Sequence, residues 1–258
     1  MKMLNLFLRL KNLLHYLYST LQGLSPVSPA QITKELIWEC VGKPEPTILE
    51  IGCNDGTDTL RFLEIFDNPT IYCFEPDPRA IAKFKANVGQ CSNVHLFEIA
   101  LSDRNGETTF YQSSGQAPGE SAEAMPAGWD QSGSIREPKD HLIVYPWVTF
   151  DNSITVKTAT LDTWCNAQGL ELIDFIWMDV QGAEVDVLRG GVNTLNNTRF
   201  LYTEYYNKEL YKGQYTLKQL LKYLNTFEVL VRYPTDVLLM NKLLVTAPSK
   251  ALQRMLVN

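Results

Sequence analysis

The feature that most constrains this chain is a regular alternation of short apolar runs with helical segments from residue 30 onward. Thr47–Ile51 and Thr70–Phe74 are apolar runs typical of buried parallel strands, and a segment with helical periodicity follows each of them. Phe175–Met178 and Phe200–Thr203 repeat the pattern later in the chain. Such alternation predicts a doubly wound α/β sheet with right-handed crossovers.

The other predicted elements complete this sheet. Val94–Ile99 is a predicted third strand, and Phe227–Arg232 and Val237–Val245 are a predicted antiparallel pair around Pro234. We therefore expect helices on both faces of the sheet. The apolar periodicity predicts them over Ala30–Val41, Thr57–Phe66, Pro78–Val88, Leu161–Ala167, Ala183–Leu188 and Thr216–Leu224.

Two stretches depart from the alternation. Residues 112–147 contain four glycines and four prolines, and an insertion of this length is either a substrate lid or a structural or flexible insertion. Residues 1–29 are a predicted amphipathic helical arm with a proline linker. The arm is expected to pack on the domain or on another subunit, or to lie on a membrane surface. The domain itself is expected over residues 30–247, before a short helical tail at 248–258.

Composition excludes several classes of protein. The formal net charge is −6, whereas proteins that bind nucleic acid through phosphate contacts usually carry a basic surplus. The five cysteines are scattered without a Cys-x-x-Cys pair, so neither a metal site nor a disulfide framework is predicted. We expect a reducing, cytoplasmic location and no nucleic-acid partner.

Polar residues follow the predicted strands at the edge where a doubly wound sheet binds its ligands. The turn from Glu50 to Gly56 reads EIGCNDG, and its glycines allow the backbone to approach a ligand, although turn chemistry alone also explains them. Glu75 follows the second strand, where a carboxylate can accept hydrogen bonds from both hydroxyls of a ribose. The turn lacks the Gly-x-Gly-x-x-Gly spacing, which argues against a nicotinamide or flavin cofactor.

Two further stretches lie at predicted strand ends. Ala100 to Asp103 follows the third strand, where its backbone can bond the edge of an adenine. Asp179 to Glu184 reads DVQGAE after the wholly apolar fourth strand, so it is expected to face the same crevice. Capping the next helix is the alternative role for Asp179.

Together these stretches resemble the FkbM-type family of S-adenosylmethionine-dependent methyltransferases. The matching segments span residues 47–206 and read ILEIGCNDG, IYCFEPDP, NVHLFEIALSDRNG, TLDTWCNAQGLELIDFIWMDVQGAEVDVLRGG and LYTEYY. The resemblance implies a Rossmann-like class I methyltransferase fold, with a mostly parallel seven-stranded sheet and an antiparallel C-terminal strand pair. It implies S-adenosylmethionine as cofactor and O-methylation of a hydroxyl on a small molecule, sugar or glycan. Gln181 stands where the family usually has glutamate, and a neutral amide cannot act as a base.

The resemblance also implies a cofactor site at the ends of the first three strands. Glu75 would hold the ribose. The backbone of Ala100 and Leu101 would border the adenine, with Asp103 beside it, and Asp179 would border the cofactor from the fourth strand. The amino-acid end of the cofactor would be held by Glu50, Gly52, Asn54, Asp55 and Gly56.

An alcohol acceptor loses a proton during methyl transfer, so a nearby base is expected to assist. Asp179 is the first candidate, as the base or as a group that orients the acceptor. Glu204 is the second and His141 the third, although a surface position is the alternative for His141. The aromatic candidates for stacking on a sugar, or for simple packing, are Trp129, Tyr145, Trp147, Tyr205 and Tyr206.

Two other functions stay open on the sequence. A non-catalytic scaffold or binding protein would keep the fold without turnover, and Gln181 is the main support for this alternative. A nucleotide-dependent oxidoreductase would share a related sheet, but the missing glycine pattern argues against it.

Overall fold

The computed structural model of the chain describes residues 28, 31–116, 118–119, 128–246 and 249–257. The predicted amphipathic arm therefore lies outside the described residues, as does part of the predicted insertion. Within the described ranges, no helix combines the length and the apolar character that crossing a membrane requires.

The predicted strands and helices are present, some over shorter ranges than predicted, together with elements that were not predicted. The strands are β1 Thr47–Ile51, β2 Thr70–Phe74, β3 Val94–Phe97, β4 Ala100–Ser102, β5 Gly106–Gly115, β6 Val148–Thr160, β7 Ile173–Met178, β8 Thr198–Glu204, β9 Phe227–Arg232 and β10 Asp236–Asn241. The helices are α1 Lys34–Val41, α2 Thr57–Ile65, α3 Pro78–Val88, α4 His141–Val144, α5 Leu161–Gln168, α6 Glu184–Gly190, α7 Val192–Asn196, α8 Leu217–Leu220 and α9 Lys250–Val257. Thr33, Asp77 and Thr160 cap α1, α3 and α5 by accepting hydrogen bonds from backbone N–H groups of the first turns.

The larger sheet has seven strands in the order β3-β2-β1-β7-β8-β10-β9. The first five of these run parallel, whereas β10 is antiparallel to both β8 and β9. This topology confirms the predicted doubly wound fold with an antiparallel C-terminal pair. The chain moves outward from β1 to β2 and β3, and it later adds β7 on the other side of β1. The winding therefore reverses between β1 and β7, which is where such sheets bind ligands.

The side chains of β1 divide between two hydrophobic cores. Ile48 packs with Phe62 of α2 in the core on one face of the sheet. Leu49 and Ile51 belong to the core on the other face. Because successive side chains of a strand point to opposite faces, Glu50 lies on the same face as Ile48.

A second sheet of three strands was not predicted. Its order is β4-β6-β5, with β4 parallel and β5 antiparallel to β6. The predicted third strand Val94–Ile99 is therefore too long, because the chain leaves the larger sheet and enters the second sheet at Ala100. β5 ends at Gly115 and β6 begins at Val148, so the predicted insertion 112–147 starts and ends inside a long hairpin. The polar sequence of β5 gave no apolar alternation from which to predict this hairpin.

Two predicted C-terminal elements are shorter in the structure. The predicted helix Thr216–Leu224 is helical only over α8, because the N–H groups of residues 222–224 bond to carbonyls three residues back rather than four. The predicted strand Val237–Val245 ends at Asn241, whose carbonyl accepts turn hydrogen bonds from residues 244 and 245. The short helical tail is present as α9.

Candidate active site

A cavity of about 460 Å³ lies at the carboxyl ends of the parallel strands. Its lining includes Gly52 after β1, Glu75 after β2, Asp179 after β7 and Glu204 at the end of β8. The rest of the lining comes largely from the second sheet and the loop between β5 and β6. The fold therefore brings together stretches that are far apart in the sequence, at the switch point of the larger sheet.

The turn between β1 and α2 lies directly against the end of β7. Gly52 has a φ of 88°, and a Cβ there would lie 1.9 Å from the carbonyl oxygen of Asp179. No side chain fits at this position. Asn54 also has a positive φ of 43°, and its backbone N–H donates to Glu75 Oε2 at 3.0 Å. The turn is thus fixed to both neighbouring strands.

Glu75 lines the cavity but is only 6% exposed. Its two oxygens accept hydrogen bonds from the backbone N–H groups of Asn54 and Asp77, at 3.0 and 2.8 Å. Burial raises the pKa of Glu75 to about 8, opposed by these two hydrogen bonds. Each carboxyl oxygen has a second lone pair, so Glu75 can accept further hydrogen bonds from a hydroxyl-bearing ligand in the cavity.

Glu50 is not among the residues that line the cavity. Its Oε2 accepts hydrogen bonds from Thr59 Oγ1 and, at 3.7 Å, from Cys73 Sγ. Desolvation raises the pKa of Glu50 well above its ordinary value. The alternation of β1 points this side chain under α2, so its direct contact with a cofactor ammonium group, expected from the sequence, does not fit the structure.

Two other predicted cofactor residues lie outside the cavity lining. Gly56 packs on α3, where a Cβ would lie 2.4 Å from Val88 Cγ2. Asp103 is exposed because it follows β4 of the second sheet rather than the end of β3. Ala100 and Leu101 do line the cavity and form part of its apolar wall. Asp55 also lines the cavity, at the glycine turn.

Asp179 and Glu204 form a carboxyl pair at the ends of two adjacent strands. Their interaction lowers the pKa of Asp179 and raises that of Glu204, against the larger effect of burial on both. The Gln181 amide nitrogen donates to both, at 2.7 Å to Asp179 Oδ1 and 3.0 Å to Glu204 Oε2. Asp179 does not cap the next helix, because α6 begins at Glu184 with Ala183 as its N-cap.

Desolvation is the largest influence on the carboxyl pair and raises the pKa of both members. The hydrogen bonds from Gln181 and Glu204 oppose this rise at Asp179. At Glu204 the charges of Asp179 and Asp236 add to it, so its pKa lies well above the ordinary value. Burial therefore disfavours a state in which both carboxyls are ionised.

Aromatic side chains form another part of the cavity wall. Trp129 and Trp147 meet edge to face with ring centroids 5.0 Å apart, and Trp129 Nε1 donates to Ser132 Oγ at 2.8 Å. Hydrogen bonding of one ring and mutual packing give both tryptophans a defined orientation. The predicted aromatic residues that line the cavity are Trp129, Tyr145, Trp147 and Tyr206.

The structure distinguishes between the alternatives for Tyr205 and His141. Tyr205 is buried in the core and its hydroxyl donates to the carbonyl of Tyr233 at 2.8 Å, so it packs rather than faces the cavity. His141 is 2% exposed and lines the cavity, which corrects the surface alternative. Its ring packs on Tyr145 and Tyr211, with centroids 4.9 and 5.3 Å away.

The covering segment, residues 128–140, is held over the cavity by charged contacts. Arg136 forms a two-pronged pair with Asp186 of α6, at 2.7 and 2.8 Å. Asp130 accepts from Lys83 of α3 at 2.6 Å, and its carbonyl accepts from the Asn54 side chain at 3.4 Å. The segment is therefore attached to elements on two sides of the cavity.

The contact between Gln181 and Tyr211 was not predicted from the sequence. The Tyr211 hydroxyl approaches the Ser132 carbonyl at 2.7 Å and Gln181 Oε1 at 3.2 Å. Gly182 allows this contact, since a Cβ there would lie 2.7 Å from the Tyr211 ring. The Gln-Gly pair after a strand was a visible signal of a tight turn, but nothing in the sequence indicated its partner.

The residues at the cavity fit a nucleoside carrying an amino acid. Glu75 offers a buried carboxyl beside a glycine turn, Ala100 and Leu101 offer an apolar wall, and the volume is within the usual range for small-ligand sites. No group of three or more histidine, cysteine or acidic side chains in the described part of the chain is arranged to hold a metal ion.

A family model that matches most of the chain shows its family. The methyltransferase FkbM domain matches residues 50–230. The 2-O-methyltransferase NoeI of Sinorhizobium fredii is 49% identical over 220 residues, covering 84% of this chain and 87% of that protein. Methyltransferase 1 of Beauveria bassiana is 30% identical over 149 residues, covering 55% of this chain and 57% of that protein. The solved structure of Aeropyrum pernix fibrillarin with S-adenosyl-L-methionine aligns with a TM-score of 0.43 and 15% identity, covering 88% of this chain and 74% of that one.

Proposed function

The chain belongs to the FkbM methyltransferase family, and from this premise we propose that it methylates the 2-hydroxyl group of a sugar. It is an S-adenosylmethionine-dependent O-methyltransferase. The roles proposed for its residues rest on one observation. The Asp179–Glu204 carboxyl pair lies in the same cavity as Glu75 and the two tryptophans, Trp129 and Trp147.

The proposed cofactor side of the cavity lies at β1 and β2. S-adenosylmethionine supplies a methyl group already activated by its sulfonium charge. Glu75 accepts hydrogen bonds from the ribose, while the turn at Gly52 and Asn54 leaves room for the amino-acid end. Ala100 and Leu101 border the adenine. Positioning of the reactants provides most of the rate in such a displacement.

Asp179 is the proposed base. When S-adenosylmethionine is bound, it would supply the methyl group to the acceptor oxygen, and Asp179 would take the proton that this hydroxyl loses. Glu204 stays protonated and donates a hydrogen bond to Asp179 before the transfer. Desolvation raises the pKa of Asp179 and so makes it a stronger base than an exposed aspartate.

A sugar acceptor is supported by the aromatic wall and by the relative. Trp129 and Trp147 present oriented rings, which suit the apolar face of a pyranose. The name of NoeI places its methyl group at a 2-O position, and the two chains are 49% identical. The covering segment acts as the lid that closes over this acceptor, a role predicted for the insertion.

The test is methyl transfer to paired glycosides. Purified protein is incubated with labelled S-adenosylmethionine and a panel of methyl glycosides, each beside its 2-deoxy counterpart. We expect transfer to at least one glycoside and none to its 2-deoxy partner, with nuclear magnetic resonance placing the methyl group on O2. Equal transfer to the 2-deoxy partner contradicts the position, and transfer to phenols alone contradicts the sugar. Cofactor binding without transfer to any hydroxyl supports the scaffold alternative.

The role of residues 1–24 stays a prediction from the sequence. Sedimentation of anionic vesicles with the full chain, against a chain that starts at Ser28, tests the membrane contact. Equal sedimentation of the two proteins contradicts it, and sizing of the same pair tests self-association through the arm.

A further inference from the structure

We propose that Gln181 is a positioning residue that holds the carboxyl pair of Asp179 and Glu204 together around one proton, and that Tyr211 fixes the Gln181 amide in the orientation this requires. The inference rests on the proposed function, because it concerns the base of that reaction. It gives a role to the position where this chain has glutamine and the family usually has glutamate.

The hydrogen bonds of Gln181 use the whole amide group. An amide nitrogen has two donors, and one reaches Asp179 Oδ1 at 2.7 Å while the other reaches Glu204 Oε2 at 3.0 Å. The amide oxygen lies 3.2 Å from the Tyr211 hydroxyl. Rotating the amide by half a turn would point its oxygen at two carboxyls. The Tyr211 hydroxyl therefore favours the amide orientation in which the Gln181 nitrogen donates to both carboxyls.

The backbone around Gln181 is shaped for these contacts. Gln181 has a φ of 51°, a left-handed conformation that residues other than glycine rarely adopt. Gly182 follows with a φ of 91°, and its missing Cβ lets the Tyr211 ring lie directly on the turn. Strained conformations of this kind persist where the surrounding contacts require them. The Tyr211 hydroxyl also lies 2.7 Å from the carbonyl of Ser132, so its single proton is shared between that oxygen and Gln181 Oε1, and the network is joined to the covering segment.

The surroundings of the pair explain why a neutral donor suits this position. Acidic groups face the pair from three other elements. In addition to burial, the charge of Asp179 raises the pKa of each of these acids, and the charges of Asp236 and Glu184 raise the pKa of Glu204. One of these acids, Asp58, pairs with Arg61 at 3.6 Å. The titratable groups that face the pair are Asp58 on α2, Glu184 on α6, Asp236 on β10, and Tyr206 and Tyr211, with His141 and Tyr145 on the same cavity wall.

The amide supplies two donors without adding a charge to this acidic environment. Its hydrogen bond lowers the pKa of Asp179, so Asp179 stays ionised while Glu204 keeps the proton. A glutamate at position 181 would place a third carboxyl beside the pair. The two functions of the site, holding a base ionised and holding its neighbour protonated, therefore depend on the same amide.

Two variants test this role through the pH profile of kcat. Gln181→Met keeps the length of the side chain and removes both donors, so the acid limb of the profile should move to higher pH by about one pH unit. Tyr211→Phe should move it in the same direction by less, since the donors stay but lose their fixed orientation. Affinity for S-adenosylhomocysteine should stay within about twofold in both. Gln168→Met, at an exposed position of α5, is the matched control and should change neither quantity.

Infrared titration of the protein without an acceptor provides a readout independent of turnover. Glu50 and Glu75, whose pKa values are also raised by burial, contribute protonated-carboxyl absorption at neutral pH. In difference spectra against the unsubstituted protein we therefore expect one band that is lost in Glu204→Gln and that moves in Gln181→Met. An unmoved acid limb in both variants, a missing band, or a loss of cofactor affinity equal to the loss of kcat overturns the proposal. If the band behaves as expected and no hydroxyl compound is methylated, the shared proton is supported and the proposed function fails.

Discussion

The two sides of the cavity are built differently. On the cofactor side, the Glu75 carboxyl is held by two backbone N–H groups, those of Asn54 and Asp77. On the acceptor side the contacts join side chains, because the Gln181 amide bonds to Asp179, Glu204 and Tyr211. A side made of backbone tolerates many substitutions but depends on its glycines. A side made of polar side chains depends on a few individual residues.

The largest effect is expected when the acceptor side alone is broken. Asp179→Asn keeps the size of the side chain but cannot accept a proton, so kcat should fall by about 100- to 10,000-fold. Affinity for S-adenosylmethionine should change little, because the cofactor side is untouched. Steady-state kinetics and calorimetry measure the two quantities. Asp151→Asn, at an exposed position of β6, is the control, and a parallel loss of cofactor affinity would contradict the separation of the two sides.

Gly52→Ala should disturb the cofactor side and the acceptor side of the cavity together. Its Cβ would overlap the carbonyl oxygen of Asp179, so the ends of β1 and β7 must move apart. We expect a loss of about 3 kcal/mol or more in the free energy of unfolding, measured by urea denaturation. Gly42→Ala is the matched control, with a φ of 68° and no atom within 4 Å, and should cost about 1 kcal/mol. Equal costs would mean that the close approach is unimportant.

Glu75→Gln should weaken the cofactor side while leaving the acceptor side intact. A glutamine has one acceptor oxygen, so its nitrogen would face the backbone N–H of either Asn54 or Asp77. We expect affinity for S-adenosylmethionine to fall by about 10- to 100-fold by calorimetry. Glu107→Gln, at an exposed position of β5, should bind normally. Unchanged affinity in Glu75→Gln would remove this residue from the cofactor site.

The smallest effect concerns the acids behind the acceptor side. Burial raises the pKa of Glu184 to about 7, whereas in the unfolded chain it is about 4.3. Between these values the folded protein holds a proton that the unfolded chain releases, so stability falls as pH rises from about 4.5 to 7. Glu184→Gln should reduce that fall by about 1–2 kcal/mol in urea titrations at several pH values. Identical pH slopes in the two proteins would contradict this origin.

Sequence patterns predicted the part of the fold in which local signals agree. β1 and β2 have the predicted bounds because each apolar run stops at a polar turn, and α3 does because Asp77 and Pro78 define its start. The second sheet could not be predicted, because polar β5 pairs with a strand far along the chain. The same holds for the site. Glu75 could be picked from its position after a strand, whereas the contact between Gln181 and Tyr211 depends on tertiary packing.

The loop between β5 and β6 connects two strands of the three-stranded sheet. The glycine turn and the carboxyl pair lie at strand ends of the seven-stranded sheet. Changes in its length or sequence between Gly115 and Val148 therefore leave the hydrogen-bond register of the seven-stranded sheet unaltered. The attachments that such changes must keep include those to Lys83, Asp186, Tyr211 and Asn54. During evolution the sequence of this loop can therefore change to fit a new acceptor while the residues that bind the methyl donor stay the same.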